Sequence, residues 1–299
     1  MPKSRHAQKV LSLAYLAVIA LGIFLVTRPL ASERIGDEPI DEAAYAEAPN
    51  VASTTKEIVG SPQDEPITVP ILVYHIVRPS YPNDSADVKK YAQTPEVFDA
   101  QLSYLARAGY HVIPFSAFEN HLKSGAPLAT NPIVLTFDDG WRNQFEYAFP
   151  ILKKYHDTAT FFIFTNAIGR HAFISWDNLR EMLAAGMTVG SHSRSHPFLL
   201  KVSDPAQLWD EISESKNILE KNLGVPITEF AYPFGQYDAS STALVEKAGY
   251  ITARGDYMKR GVSQSFENRY LLGAQNAPTT LERFERDFPP VSVTTALIR

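Results

Sequence analysis

From Ile67 onward the chain alternates short apolar runs with amphipathic segments, about seven times over roughly 230 residues, and few folds accommodate that rhythm. The runs Val69–Tyr74, His111–Ile113, Ile133–Phe137, Thr160–Phe164, Met187–Val189, Glu229–Ala231, Tyr250–Ala253 and Arg269–Leu272 read as strands. Between them lie helical patterns. Thr94 caps one with Pro95 at its first position, and Val97, Phe98, Leu102, Leu105 and Ala106 share its face. Ser116 caps a second that ends by Gly125. A third runs from near Trp141 to Tyr155, and others cover Trp176–Ala185 and Pro205–Leu223. Asp238 caps a helix that ends at Gly249, and a last one starts near Thr280. Such alternation predicts one parallel α/β domain closed, or nearly closed, into a (β/α) barrel. A doubly wound open sheet is the alternative, but no Gly-x-Gly-x-x-Gly follows the first strand.

The 66 residues before the barrel domain divide in three. Residues 1–9 are basic, with Lys3, Arg5 and Lys9, and read as cytoplasmic. The eighteen residues Val10 to Thr27 carry no charge and are mostly apolar, enough to span ~27 Å as a helix at ~1.5 Å per residue. The flanking cations orient this segment N-in, so the expectation is a single-pass cytoplasmic-membrane anchor with residues 67–299 on the extracytoplasmic side. A cleavable signal peptide is the rival; its apolar region is usually shorter, and Pro29-Leu30-Ala31-Ser32 is a poor Ala-x-Ala site. Residues 28–66, rich in Ala, Pro, Asp and Glu, read as a flexible acidic linker. A net charge of −5 gives nucleic-acid binding no electrostatic support, and the absence of cysteine excludes disulfides, thiolate metal sites and a cysteine nucleophile.

In a barrel, reactive groups gather at the C-terminal ends of the strands. Tyr74-His75, Asp138-Asp139, His192, His196 and Tyr232-Pro233-Phe234-Gly235 all fall there. Adjacent carboxylates disfavour joint ionisation unless a cation or donors compensate. Two imidazoles four residues apart can reach one ion, and with one Asp they make a three-ligand site with open positions. That ion would leave the other Asp ionised beside it.

Thr136-Phe-Asp-Asp-Gly140, Ser191-His-Ser-Arg-Ser-His196-Pro197 and Tyr232-Pro-Phe-Gly235 resemble, in order and spacing, the first three motifs of the polysaccharide deacetylases, carbohydrate esterase family four. The resemblance covers roughly residues 68–275. It implies a distorted (β/α) barrel, a divalent metal (zinc in many members, with Co2+, Ni2+ or Fe2+ as options) and removal of acetyl groups from a polysaccharide, an N-acetylglucosamine polymer or acetylated xylan. Carried over residue by residue, it makes Asp138 the general base, Asp139, His192 and His196 the metal ligands, and the Phe234 N–H an oxyanion donor.

The chain departs from the family pattern twice. The Arg usually found two residues before the motif-three Pro is Ala231 here, and Arg269 is the expected replacement. The late Leu-x-His motif that carries the general acid is missing, since no histidine follows His196. Tyr74-His75 resembles the Tyr-His pair of a permuted branch, which makes His75 the expected acid. His111, His121, His156 and His171 read as surface or packing residues, and Trp141 and Trp176 as packing or groove-lining rings.

Other chemistries fit less well. A glycosidase pair sits on separate elements at ~5 Å or more, whereas neighbours on a strand face opposite ways. A non-haem iron site places its first His close to its acid, and a zinc protease places a Glu between its histidines. A tethered glycan-binding protein with decayed catalysis is the non-enzymatic alternative. A cell-envelope polymer such as peptidoglycan or poly-N-acetylglucosamine is the expected partner.

Overall fold

The computed structural model describes residues 68–256 and 264–291. The expected anchor at 10–27 and linker at 28–66 lie outside these residues. Among the described residues no helix is long and apolar enough to cross a membrane.

Seven parallel strands close into a barrel: β1 (Ile71–Tyr74), β2 (Pro132–Phe137), β3 (Thr160–Ile163), β4 (Thr188–Ser191), β5 (Glu229–Ala231), β6 (Thr252–Asp256) and β7 (Leu272–Asn276). The pairing runs in chain order, and β1 meets both β2 (Leu72 opposite Leu135) and β7 (Leu72 opposite Gln275), which closes the ring. The two-residue strand His111–Val112 pairs only with the start of β2.

Period-two alternation sorts each strand into two cores. Leu72, Tyr74, Leu135, Phe137, Phe161, Ile163, Val189 and Phe230 face outward onto the helices. Ile71, Val73, Val134, Phe162, Ala231, Leu272 and Ala274 fill the barrel with Phe115 and Phe118. These two rings come from α2 (Phe115–Ser124), which follows α1 (Pro95–Arg107) and covers the N-terminal opening. The outer helices are α3 (Phe149–Tyr155), α4 (Trp176–Ala184), α5 (Pro205–Leu223), α6 (Ala239–Lys247) and α7 (Leu281–Asp287).

The expected caps hold at Thr94, whose side chain accepts from Val97 N–H, and at Asp238, which accepts from Ser241 N–H. Ser116 is not a cap. Helix α2 begins one residue earlier after Pro114, without a side-chain cap, because Phe115 is drawn into the barrel floor against Phe162. The helix expected from Trp141 starts later. Gln144–Ala148 form a wide π-helical turn before α3, where Pro150 has no N–H to give the carbonyl of Glu146. The last two strands lie two to four residues later than the hydrophobic runs suggest: β6 contains Arg254 and Gly255, and β7 contains Gln275 and Asn276.

The floor also buries two carboxyls. Thr252 Oγ1 donates to Glu119 Oε1 at 2.6 Å, and Glu119 and Glu229 are both almost wholly buried. Burial first, and the Glu119 charge second, push Glu229 up to about 8; burial also raises Glu119. A carboxyl raised in the fold binds a proton that the unfolded chain has already released. Its stabilisation is therefore full below the ordinary value of 4.5 and is lost as pH climbs towards 8. Urea unfolding of the wild-type chain is expected to show falling stability across that window, and Glu229→Gln to flatten the fall.

Candidate metal centre and acid–base site

Strand β2 carries Thr136 and Phe137 to the barrel mouth and ends on the carboxylate pair. By alternation Asp138 continues the inward row of Val134 and Thr136 and is 5% exposed. Asp139 turns away with φ 73°, which the following Gly140 (φ 72°) makes possible: a Cβ on Gly140 would stand 2.8 Å from Ile163 Cδ1. The chain therefore separates the two carboxylates by a backbone reversal.

Asp139 joins the histidine pair. Its Oδ1 lies 3.7 Å from His192 Nε2 and 3.4 Å from His196 Nε2, and the two Nε2 atoms are 3.2 Å apart. His192 Nδ1 is 2.7 Å from the Ala231 carbonyl, an acceptor only, so Nδ1 carries the proton and Nε2 turns its lone pair to the cluster. Burial pulls His192 down to about 4, more than the nearby carboxylates raise it, so the ring is neutral near pH 7. Burial alone would raise Asp139. The charges of His196, His75 and His192 and the Trp141 N–H outweigh it and hold the carboxyl below its usual range. Two imidazole nitrogens and a carboxylate oxygen converging in this way fit a divalent cation, and among the described residues this is the only such three-residue group.

The loop between the histidines is held from α5. Glu211, 5% exposed, accepts from Arg194 N–H at 3.1 Å, from Ser195 N–H at 2.8 Å and from the Ser195 hydroxyl, while Arg194 pairs with Asp210. This clamp was hidden in the sequence, where Glu211 is one more acidic residue on an amphipathic helix. Six non-glycine residues have positive φ among the described residues. Four of them, Asp139, Ser193, His196 and Phe234, belong to this site. Such conformations cost about 1–3 kcal/mol each and persist where the surroundings over-determine them.

Asp138 has the partner that Ala231 could not provide. Arg254, 3% exposed and pointing inward from the middle of β6, donates through Nη2 to Asp138 Oδ1. Its guanidinium lies over the Phe162 ring at 4.5 Å, and the paired strand puts Ala231 opposite Arg254. The small Ala231 thus leaves the lumen open to the arginine beside it. Arg269 is elsewhere: it precedes β7, at the opposite end of the barrel, donates to Glu246 and to the Phe266 carbonyl, and does not join the cluster. The expectation failed because a strand boundary set by Tyr270–Leu272 put Arg269 within the sheet. A charged residue inside a buried strand was the available signal for Arg254.

His75 follows β1 beside the site, close enough for its charge to act on Asp139. Its ring packs 5.1 Å from Tyr91. Gln144 on the π-helical turn ties the two loops together, donating from Nε2 to the carbonyls of His75 (2.7 Å) and Asp138 (2.5 Å). Phe234 closes the opposite side, stacked on Phe198 at 3.7 Å and against His196 at 4.6 Å.

Residues 126–253 match the family model for the polysaccharide deacetylases. The chain is 28% identical over 187 residues to the Bacillus subtilis protein YxkH, covering 62% of this chain and 64% of the relative. It is 27% identical over 180 residues to the poly-β-1,6-N-acetyl-D-glucosamine N-deacetylase of Staphylococcus aureus, covering 56% of this chain and 62% of that protein. The matches thus span less than two thirds of these curated relatives. Among solved structures, the Streptococcus pyogenes deacetylase PplD in complex with acetate superposes with a TM-score of 0.67 at 26% identity, over 76% of this chain and 100% of that one.

Removing the loop clamp tests how far the histidine geometry depends on it. Glu211→Ala is expected to weaken Zn2+ binding by at least ~10-fold in chelator competition, and His192→Ala to abolish it.

Proposed function

This chain carries a polysaccharide deacetylase domain across residues 126–253, and from that premise we propose that it is a divalent-metal hydrolase. It removes acetyl groups from a cell-envelope polysaccharide, an N-acetylglucosamine polymer in particular. The observation that carries the reading is the pairing, at one barrel mouth, of the Asp139–His192–His196 cluster with a buried carboxylate held by its own arginine. The Staphylococcus aureus relative, named for its action on poly-β-1,6-N-acetyl-D-glucosamine, supports the substrate class.

Asp139, His192 and His196 would hold a divalent ion, with zinc the leading choice, which would supply Lewis-acid polarisation of the acetyl carbonyl and of water. Asp138 takes the proton as water adds to the carbonyl carbon, and Arg254, paired with that carboxylate, fixes it in the lumen. The Phe234 N–H, on a turn set by its positive φ, donates to the developing oxyanion. The C–N bond then breaks, and His75 gives the departing amine its proton. Acetate and a free amino sugar leave. The acetylated polymer reaches the domain from the extracytoplasmic side, with residues 10–27 as the membrane anchor.

The glycan-binding alternative drew its strength from the missing motif arginine and the missing late histidine, and Arg254 at Asp138 weakens the first of these grounds. Acetate release by the purified full-length, Zn2+-loaded chain decides between the two. The panel is poly-β-1,6-N-acetylglucosamine, peptidoglycan, chitooligosaccharide and acetylated xylan. Asp138→Asn and His75→Ala are each expected to lower turnover ~10²–10⁴-fold with bound zinc unchanged. Arg254→Met should lower it strongly, and Arg269→Met should leave it near wild type. Bound zinc with no acetate from any of the four polymers would sink the hydrolase reading. In cell fractionation the chain should resist carbonate extraction, and deleting residues 10–27 should release it.

A further inference from the structure

Asp139 has two oxygens, and the structure treats them differently. Oδ1 faces both histidine Nε2 atoms, while Oδ2 accepts from Trp141 Nε1–H at 2.9 Å. The indole is itself held. Trp141 forms an antiparallel bridge with Phe173, and their rings stack at 4.6 Å with a 20° tilt. Backbone bonds on either side, from Ile174 N–H to Gly140 O and from Arg142 N–H to Ala172 O, both 2.9 Å, fasten residues 140–142 to the 172–174 segment. Phe173 continues edge-on to Phe164, 5.3 Å away, and Phe164 lies 5.4 Å from His196. The donor is thus braced by the same aromatic chain that ends on a histidine ligand.

We infer that Trp141 is a positioning residue that makes Asp139 a one-oxygen ligand: its indole N–H occupies Oδ2 and leaves Oδ1 for the ion. The inference rests on the metal reading above. A carboxylate free to rotate presents either oxygen, or both, and loses orientational freedom when it binds. One donated hydrogen bond removes that choice before the ion arrives, as outer-shell donors do for metal ligands generally. It also lowers the basicity of Oδ2, so a second bond to the ion competes with an existing hydrogen bond. The strained backbone at Asp139 sets where the carboxylate sits, and Trp141 sets which oxygen it offers.

The test uses the full-length chain stripped of ions and titrated with Zn2+ against a chromophoric chelator. Trp141→Phe keeps a ring to stack on Phe173 and loses only the donor. It is expected to bind Zn2+ ~10–100-fold more weakly than wild type while melting like wild type without the ion. Phe173→Leu keeps the donor and should lose less. A reading independent of either variant comes from 15N-labelled tryptophan, of which the chain has three. One indole N–H signal should lie downfield, as a hydrogen bond to a carboxylate requires, and stay there when Zn2+ is added. Equal Zn2+ affinity for Trp141→Phe and wild type, a Phe173→Leu loss as large as that of Trp141→Phe, or a downfield signal that collapses on adding Zn2+ would each overturn the inference while leaving the metal reading intact. A wild-type chain that binds no Zn2+, Co2+, Ni2+ or Fe2+ would overturn both.

Discussion

Two like charges on consecutive residues at the end of a buried strand are the constraint on which the rest of this site depends. Left alone, Asp138 and Asp139 would repel and one would take a proton. The fold gives each a separate cationic environment. Asp138 stays in the lumen and meets Arg254, a guanidinium reached through a gap beside Ala231. Asp139 is turned out by a positive-φ step and meets two imidazoles whose lone pairs need a cation between them. One doublet therefore yields two carboxylates with different partners, which is the arrangement that a base next to a Lewis acid requires.

Strain is concentrated where this separation is made. Four left-handed non-glycine residues in one site would cost several kcal/mol in sum on any exposed loop. Here they are held by Glu211 from α5, Gln144 from the π-helical turn, and the ring contacts of Phe198 and Phe234. Apart from Phe234, whose N–H is the proposed oxyanion donor, none of these groups touches the reacting atoms. Their job is to hold backbone in conformations it would otherwise leave. The barrel supplies rigid strand ends, and the helices behind them supply the polar clamps.

The buried carboxyls on the barrel floor form a separate electrostatic unit. Glu119 and Glu229 have a threonine hydroxyl beside them, so their repulsion is relieved by a retained proton. At the mouth an arginine plays the equivalent part. The same physical problem is thus solved by neutralisation at the floor and by pairing with an arginine at the mouth.

The helix caps at Thr94 and Asp238, the parallel barrel, the doublet and the histidine pair were legible in the sequence because each depends on local signals: periodicity, capping chemistry and short spacings. The placement of β6 and β7 was not, because both strands carry polar residues and the apolar runs before them mislead by two to four residues. That error moved the expected arginine from 254 to 269. Ser116 and the start of α3 were misplaced for a related reason, since burial of Phe115 and the missing N–H of Pro150 overrode local preference. The sequence by itself determined which residue types meet: carboxylates, imidazoles and a tight turn, in motif order. The tertiary structure decided which arginine faces the base, which oxygen of Asp139 faces the histidines and which helix clamps their loop. The arginine depends on strand register and a side chain 116 residues away, the clamp on one 16 residues away, and the oxygen choice on an indole braced by the 172–174 segment, none of which a local pattern encodes.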